Sequence, residues 1–174
     1  MRLKQYLCPC LRIITFESGV FSCRTIMKDI TLYKDEFCIS TDKTRLDIDS
    51  IHVFLSTKAY WSLHIPREKV ERSIQNSLCF GVYQDEKQVG FARVISDFST
   101  IAYLGDVYIL EEYRGKGLSK WLMETVMEHP GLQGLRRWIL LTGDAHGLYR
   151  QFGWTDLADP SKWMELHHKN VYTS

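Results

Sequence analysis

The sequence contains no uninterrupted apolar run that approaches the ~18 to 20 residues of a transmembrane helix. It also lacks an excess of charge of one sign, because 22 lysines and arginines face 21 aspartates and glutamates. A formal net charge of +1 gives no reason to expect nucleic acid or an anionic membrane as a partner, and we therefore expect neither. The 45% hydrophobic and 25% charged residues are typical of a globular protein.

Cysteines are few, and their spacing argues against two kinds of site. The chain has five of them, at Cys8, Cys10, Cys23, Cys38 and Cys79. An odd number without a CxxC pair disfavours a disulfide framework, and no histidine stands at metal-ligand spacing from them. We expect reduced thiols, no bound metal and a cytoplasmic location.

The first 26 residues differ from the rest of the chain. They hold three of the five cysteines and four basic residues against one acid, Glu17. A secretory signal is disfavoured because Arg12 interrupts the apolar run and no small-residue cleavage site follows it. We interpret residues 1–26 as an extension that need not fold, with a transit peptide as the alternative. We expect residues 27–174 to form one domain.

Hydrophobic patterns and turn residues predict the order of the secondary-structure elements. They indicate a strand at 36–43, helices at 47–56 and 65–77, strands at 78–84, 88–96 and 101–110, a helix from about 117, a strand at 136–142, a helix at 144–153 and a strand within 162–169. Asp47 or Asp49 is the expected cap of the first helix, Pro66 the first residue of the second, and Asp144 the cap of the last. The apolar strand at 136–142 is of the type buried on both faces. This order predicts an α+β domain with a mixed sheet.

The helix predicted from Gly117 lacks the acidic first turn and the Ser, Asp or Thr cap that helix N-termini favour. Arg114, Lys116 and Lys120 stand there instead, which is unfavourable beside the positive end of the helix dipole unless an anion binds. Gly115 and Gly117 leave the backbone N–H groups of the turn accessible, and such groups bind anions. The segment therefore predicts a phosphate site.

Two common phosphate-binding motifs do not fit this turn. GxxxxGK[ST] is absent, and Lys120 stands at the third glycine of GxGxxG. The remaining pattern is Arg-x-x-Gly-x-small, from Arg114 to Ser119, after a strand and before an amphipathic helix. It resembles the acetyl-CoA signature Gln/Arg-x-x-Gly-x-Gly/Ala of the GNAT superfamily of N-acetyltransferases, with Ser119 in place of Gly or Ala.

A second segment, "GDAHGLYRQFGW", resembles the closing segment of the same superfamily. Ala145, Tyr149, Gly153 and Trp154 occupy the matching positions, whereas Thr142 stands where the family often has Asn. The resemblance covers residues 35–169 in the same order of elements. It implies a GNAT-like α+β fold, with a central mixed, mostly antiparallel β-sheet flanked by helices on both faces, as a single N-acetyltransferase domain at 27–174.

The resemblance also implies acetyl-CoA as the co-substrate, without a metal. In the family, the pantetheine arm lies between the strand that precedes the phosphate turn and the strand that follows the next helix. The residues of this chain that match the cofactor site are Val107, Tyr108, Ile109, Arg114, Gly115, Lys116, Gly117, Leu118, Ser119, Thr142 and Asp144.

Acetyl transfer to an amine needs a deprotonated nitrogen, a donor for the oxyanion and a proton for the leaving thiolate. Tyr149 is the family-matched general acid, with a core tyrosine as the alternative interpretation. The N–H of Tyr108 or Ile109 is expected to polarise the thioester carbonyl. Asp106 is the candidate base, because a carboxylate in an apolar strand is costly unless it faces a cleft or a partner. A structural aspartate or a water relay are the alternatives.

The acceptor pocket is expected in the loop between the first two helices, where Tyr60 and Trp61 either bind the substrate or pack on the core. The neutral net charge and this aromatic loop favour a primary amine of a small molecule as the acceptor. Peptide or protein N-acetylation is one alternative, and a catalytically silent acyl-CoA-binding module is another. A homodimer is left open beside a monomer.

Overall fold

The computed structural model describes residues 28–169 and 171–172, so the interpretation of residues 1–26 lies outside the described residues. The described residues form the strands β1 (Thr31–Lys34), β2 (Phe37–Ser40), β3 (Leu78–Gln84), β4 (Lys87–Ser96), β5 (Ile101–Ile109) and β6 (Arg137–Leu140). They also form the helices α1 (Ile48–Thr57), α2 (Arg67–Gln75), α3 (Leu118–Glu128) and α4 (His146–Arg150).

The strands form one sheet in the order β1-β2-β3-β4-β5-β6. Neighbours from β1 to β5 pair antiparallel, and β6 joins β5 in parallel. This confirms the predicted mixed, mostly antiparallel sheet and the hairpin of β3 and β4. Strand β1 was not predicted. All four of its side chains are exposed, so that no buried apolar pattern marks it in the sequence.

Helices α1 and α2 cover one face of the sheet. Each contributes an apolar stripe of the kind that marks a helix packed on one side. The core on this face includes Ile51, Phe54, Val70 and Ile74 from the helices, and Phe91 and Tyr108 from the sheet.

Helices α3 and α4 cover the opposite face, which confirms helices on both sides of the sheet. The core here includes Leu118, Leu122, Met123, Val126 and Tyr149 from the helices, and Phe80, Val94 and Leu104 from the sheet. Burial of α3 along its whole length fixes the position of its N-terminus, and hence of the turn at Gly115 and Gly117, relative to β5.

The starts of α1 and α2 lie close to their predicted positions. Asp47 Oδ1 accepts a hydrogen bond from the Ser50 N–H at 2.9 Å, so Asp47 rather than Asp49 caps α1. Pro66 stands one residue before α2 instead of at its first helical position. Proline suits this place equally, because its φ is fixed, here at −65°, and because it has no N–H that would need a partner.

The prediction that Asp144 caps α4 is wrong. Ala145 immediately precedes the helix, and the Ala145 N–H donates to Thr142 Oγ1 at 3.0 Å. A threonine hydroxyl three residues before an N–H forms the same kind of local bond as an aspartate cap. No side chain caps α4 itself, and the Thr142 bond instead holds the residue that precedes the helix.

Two predictions for the last strands are also wrong. Strand β6 is not buried on both faces: Arg137 is exposed and the other three residues are half-buried, because β6 lies at the edge of the sheet with β5 as its neighbour. Residues 162–169 form no strand, and Met164 and Leu166 are 98% and 86% exposed. Alternating apolar residues become a strand only when a neighbouring backbone completes the ladder, and this segment pairs with none in the described chain.

Candidate active site

A gap opens between β5 and β6 halfway along β5. The two strands pair from Ile101↔Arg137 to Leu104↔Leu140, and there the pairing stops. Strand β5 continues to Ile109, paired only with β4, whereas β6 ends at Leu140. The backbone groups of residues 105–109 on the β6 side therefore have no strand partner, and they are available to an extended ligand.

A β-bulge lies at the start of the gap. Phe91 of β4 pairs with Tyr108, and Arg93 pairs with Gly105, so that β5 has one residue more than β4 between these pairs. Asp106 within the bulge has a φ of 54°, in the left-handed region. A bulge increases the local twist and re-aims backbone groups, and bulges are frequent next to active sites.

The glycine turn lies beyond the end of β5, at the N-terminus of α3. Gly115 and Gly117 have φ values of 78° and 77°, and a Cβ atom at either position would have no protein atom within 4 Å. No side chain caps α3, and its first turn contains no acidic residue. Free N–H groups, open space and the helix dipole together make this turn an anion-binding cradle.

Two cations flank the cradle. Lys116 Nζ lies 5.4 Å from the ring centre of Phe37 and 5.6 Å from that of Tyr113. Arg114 Nε donates to the Ile109 carbonyl at 3.2 Å, which ties the turn to the end of β5. Neither contact neutralises a cation, so both charges remain available to a diphosphate.

Several of the predicted cofactor residues have side chains that are buried in the two cores. Tyr108 stacks on Phe54 with ring centres 3.7 Å apart, and the side chains of Ile109 and Leu118 are buried in the opposite core. Val107 packs at the margin of that core, and Ser119 is half-buried in the first turn of α3. On the far side, Thr142 bonds to Ala145, and Asp144 is exposed.

The side chain of Tyr149 is buried against Trp154, with ring centres 6.0 Å apart. Burial raises the pKa of Tyr149 to about 12, and the nearby Asp144, Tyr60 and Tyr103 add to the shift. The phenol is therefore protonated at neutral pH, which is the state that a general acid requires.

Asp106 is bonded through both carboxylate oxygens. Arg93 Nε donates to Oδ2 at 2.6 Å, in an ion pair whose side chains are 15% and 12% exposed, and Trp61 Nε1 donates to Oδ1 at 3.2 Å. Arg93 also donates to Ser77 Oγ at 3.1 Å. The sequence indicated a cleft or a partner for this carboxylate, and Arg93 is a partner that it did not identify. An arginine within the otherwise apolar run from Val89 to Ile95 was the available signal.

Tyr60 and Trp61 lie beside the gap, where they contact Asp106 and Gly143, and both are partly exposed. Their rings meet edge to face with centres 5.0 Å apart. The Gly143 N–H donates to Tyr60 Oη at 2.7 Å, across 83 positions of sequence. Sequence reasoning missed Gly143, because no local pattern connects a loop after β6 with a loop after α1.

A match to the model of a known protein family accounts for these features together. The model of the Acetyltransferase (GNAT) family matches residues 48–154, which include the gap, the cradle and Tyr149. The chain belongs to the GNAT family. The protein is therefore an acyltransferase of the GNAT type, from a family that uses acetyl-CoA as the acetyl donor.

Individual relatives agree with this assignment. A "putative acetyltransferase" of Gibberella zeae is 33% identical over 138 residues, which cover 67% of this chain and 77% of that protein. A solved structure of a "putative acetyltransferase belonging to the GNAT family" from Xanthomonas campestris pv. campestris is 51% identical, with a TM-score of 0.79, and covers 80% of this chain and 99% of that one. Glucosamine-6-phosphate N-acetyltransferase from Arabidopsis thaliana, at 17% identity and a TM-score of 0.55 over 78% of this chain and all of that one, shares the fold.

The residues of this GNAT acetyltransferase fit a CoA thioester. The cradle has room where a Cβ would stand, and β5 beyond Leu104 has no strand partner on the β6 side. Within the part of the chain that the structure describes, no cluster of three His, Cys, Asp or Glu residues could hold a metal ion. None of the described helices is both long and apolar enough to cross a bilayer.

Proposed function

We propose that this GNAT acetyltransferase moves the acetyl group of acetyl-CoA directly to a primary amine of a small molecule, within a ternary complex. The observation that carries the proposal is an open glycine cradle that follows a strand, β5, whose β6 side has no strand partner beyond Leu104. Acetyl-CoA supplies an activated thioester, and the protein residues hold it and manage protons.

The donor would be held mainly by main-chain groups. The N–H groups of Gly115, Gly117 and the first turn of α3 would bind the pyrophosphate, with Arg114 and Lys116 adding charge. The free edge of β5 at Val107, Tyr108 and Ile109 would pair with the amides of the arm, opposite Thr142 and Asp144. Because the side chains of Tyr108 and Ile109 are buried, these backbone donors are rigid, and rigid donors are needed to polarise a carbonyl.

Proton transfer would involve Tyr149 and Asp106. Tyr149 would donate its proton to the departing sulfur, a role for which a pKa of about 12 keeps the hydroxyl protonated. Asp106 stays the candidate base, receiving the proton of the amine directly or through a water relay. Its bonds to Arg93 and Trp61 equally support the structural alternative, in which it holds the bulge and the acceptor loop together.

Direct transfer is supported by the state of the cysteines. In the described chain, Cys38 and Cys79 are both buried, and burial raises the pKa of Cys79 to about 11. Burial keeps substrates away from both thiols, and the raised pKa of Cys79 makes that thiol a poor nucleophile, so neither of these two residues suits a covalent acyl-enzyme. Attack by the amine itself then requires both substrates to be bound together.

A small acceptor is supported by the surface around Tyr60 and Trp61. The formal net charge is +1, so no strong field of one sign would attract a basic or acidic protein. The two exposed aromatic rings offer flat apolar area at low entropic cost, which suits stacking on a compact ligand.

The test is a thiol-release assay with acetyl-CoA against amines, amino acids, polyamines, aminoglycosides and peptides. We expect turnover with one class of small amine and initial-rate plots that intersect when both substrates are varied. Parallel plots would contradict direct transfer, and turnover confined to peptides would contradict the small acceptor. Tight acetyl-CoA binding without turnover of any amine would favour the silent module.

A further inference from the structure

The loop between α1 and α2 crosses the gap between β5 and β6 and is anchored on both sides of it. Trp61 bonds to Asp106 on the β5 side at 3.2 Å, and Tyr60 bonds to Gly143 after β6 at 2.7 Å. The two rings contact each other edge to face. We call Tyr60, Trp61 and their anchors Asp106 and Gly143 the aromatic bridge.

The bridge lies at the narrow end of the gap. The last paired residues of the two strands are Leu104 and Leu140. Asp106 stands two positions after Leu104, and Gly143 three positions after Leu140, so both anchors lie just beyond the point where the strands separate. The glycine cradle lies past the other end of β5. A ligand that enters from the cradle along β5 would therefore meet the bridge last.

The contact of Tyr60 depends on the glycine at position 143. A Cβ atom there would lie 2.9 Å from Tyr60 Oη and 3.4 Å from Cζ. The separation from Oη is shorter than Cβ atoms show in proteins, so a larger residue would displace the phenol. The ring of Tyr60 is consequently fixed by a hydrogen bond, by its edge contact with Trp61 and by close approach to the backbone.

Tyr60 also lies near Tyr149, the proposed general acid. Its hydroxyl and the Asp144 carboxylate are near enough to Tyr149 to influence that phenol, although burial has the larger effect. A thioester sulfur within reach of Tyr149 would therefore place its acyl group next to the bridge. This step rests on the proposed function, because it uses Tyr149 as the acid.

We propose that the aromatic bridge is the end wall of the acyl space and selects acetyl-CoA over longer acyl-CoAs. Each added methylene would have to displace the Tyr60 ring, which the hydrogen bond from Gly143 and the edge contact with Trp61 hold in place. A pocket that discriminates by one methylene typically does so by about 10- to 200-fold. Tyr60 is the specificity-determining residue, and Gly143 and Trp61 hold it in position.

The experiment measures the dissociation constants of CoA, acetyl-CoA, propionyl-CoA and butyryl-CoA by calorimetry without an amine, and then kcat/KM with the best amine. For the wild-type protein we expect butyryl-CoA to bind at least about 10-fold more weakly than acetyl-CoA. Tyr60→Ala should reduce this difference to less than about threefold, because the wall is removed. Equal binding of both thioesters to the wild-type protein would overturn the proposal.

Three further variants separate the wall from a general loss of stability. Gly143→Ala keeps the phenol but occupies its place at the backbone, and should relax selectivity in the same direction as Tyr60→Ala. The double variant should show no additional effect, because both changes act on one ring. Tyr60→Phe keeps the ring without the bond to Gly143, so its selectivity should lie between wild type and Tyr60→Ala.

Matched controls come from a tyrosine and a glycine outside the aromatic bridge. Tyr33→Ala removes an exposed tyrosine from β1, at the opposite edge of the sheet, and Gly147→Ala adds a methyl group that meets no atom within 4 Å. Both should retain the selectivity of the wild type. An unchanged ratio of butyryl-CoA to acetyl-CoA binding in Tyr60→Ala would refute the end wall. Absence of turnover with every amine would refute the proposed function instead, while the binding series still decides the wall.

Discussion

Asp106 has a backbone conformation that is uncommon for a residue other than glycine, with a φ of 54°. Such a conformation persists where the surroundings determine it, and Arg93 and Trp61 both bond its carboxylate. Asp106 thus lies in the bulge, forms a largely buried ion pair with Arg93, and bonds Trp61 in the loop between α1 and α2. Its catalytic and structural roles predict different results on substitution.

Asp106→Asn tests these roles, because asparagine keeps the size of the side chain but cannot act as a base. We expect kcat to fall by roughly 10² to 10⁴, with little change in acetyl-CoA affinity. The structural role predicts instead a loss of about 1.5 to 3 kcal/mol in the free energy of unfolding, from hydrogen bonds to charged groups. Urea unfolding and steady-state rates on the same sample separate the two. A wild-type kcat in the folded variant would exclude Asp106 as the base.

Tyr149→Phe separates catalysis from binding, since it removes the hydroxyl and keeps the buried ring. If Tyr149 protonates the leaving thiolate, kcat should fall by roughly 10² to 10⁴ while the dissociation constant of acetyl-CoA stays the same. A thioester with a better leaving group should lose less. Turnover equal to that of the wild type would reject the acid, and a loss of acetyl-CoA affinity alone would make Tyr149 part of the cofactor wall.

The pH dependence of Tyr149 follows from its burial. The folded-state pKa of about 12 lies above the ordinary value of 10, so the folded state retains a proton that the unfolded state loses. Its contribution to stability is therefore fully present below pH 10 and is lost as the pH rises toward 12. The phenol stays protonated between pH 6 and 9. Any change of kcat with pH in this range should therefore appear equally in the wild-type protein and in Tyr149→Phe.

At the scale of elements, α3 combines its structural role with the proposed binding of an anion. Its apolar face is buried in the core, whereas its N-terminus has neither a side-chain cap nor an acidic first turn. A conventional cap would stabilise the helix by about 1 kcal/mol, but it would occupy the N–H groups that an anion needs. The packing of α3 offsets the missing cap and keeps the cradle open.

Gly117→Val tests the cradle, and Gly134→Val is its matched control. Both glycines have a left-handed φ, of 77° and 73°, and at both a Cβ would meet no protein atom within 4 Å. The backbone strain should therefore be similar. Only Gly117→Val should abolish acetyl-CoA binding in calorimetry, by filling phosphate space, and circular dichroism should show both proteins folded. Unchanged affinity in folded Gly117→Val would contradict the phosphate site.

At the scale of the whole molecule, the cofactor would lie between β5 and β6 where these two strands separate, and it would contact both of them. A ligand at ~100 times its dissociation constant adds about 2.7 kcal/mol to the free energy of unfolding. For a domain of this size, each kcal/mol raises the melting temperature by roughly 2 to 4 °C. We expect saturating acetyl-CoA to raise it by about 5 to 10 °C by calorimetry, and acetate to have little effect. An equal response to ATP or NAD would argue against a CoA site.

Sequence patterns predicted elements with an internal signal and missed those that depend on neighbours. The hairpin of β3 and β4, the cap at Asp47 and the amphipathic α3 are local features, and all are confirmed. Strand β1 has no buried side chain, and the segment at 162–169 alternates without finding a partner. Whether an extended segment becomes a strand depends on backbone groups elsewhere in the chain.

The sequence by itself determined the family, the order of most elements and the position of the anion cradle, because short-range spacing encodes each of these. Only the tertiary structure decided that Asp106 pairs with Arg93 across the bulge, and that Tyr60 reaches Gly143 over 83 positions. Such contacts join residues that no local pattern relates. They form because the sheet register and the packing of α1 and α2 bring separate loops to the narrow end of one gap.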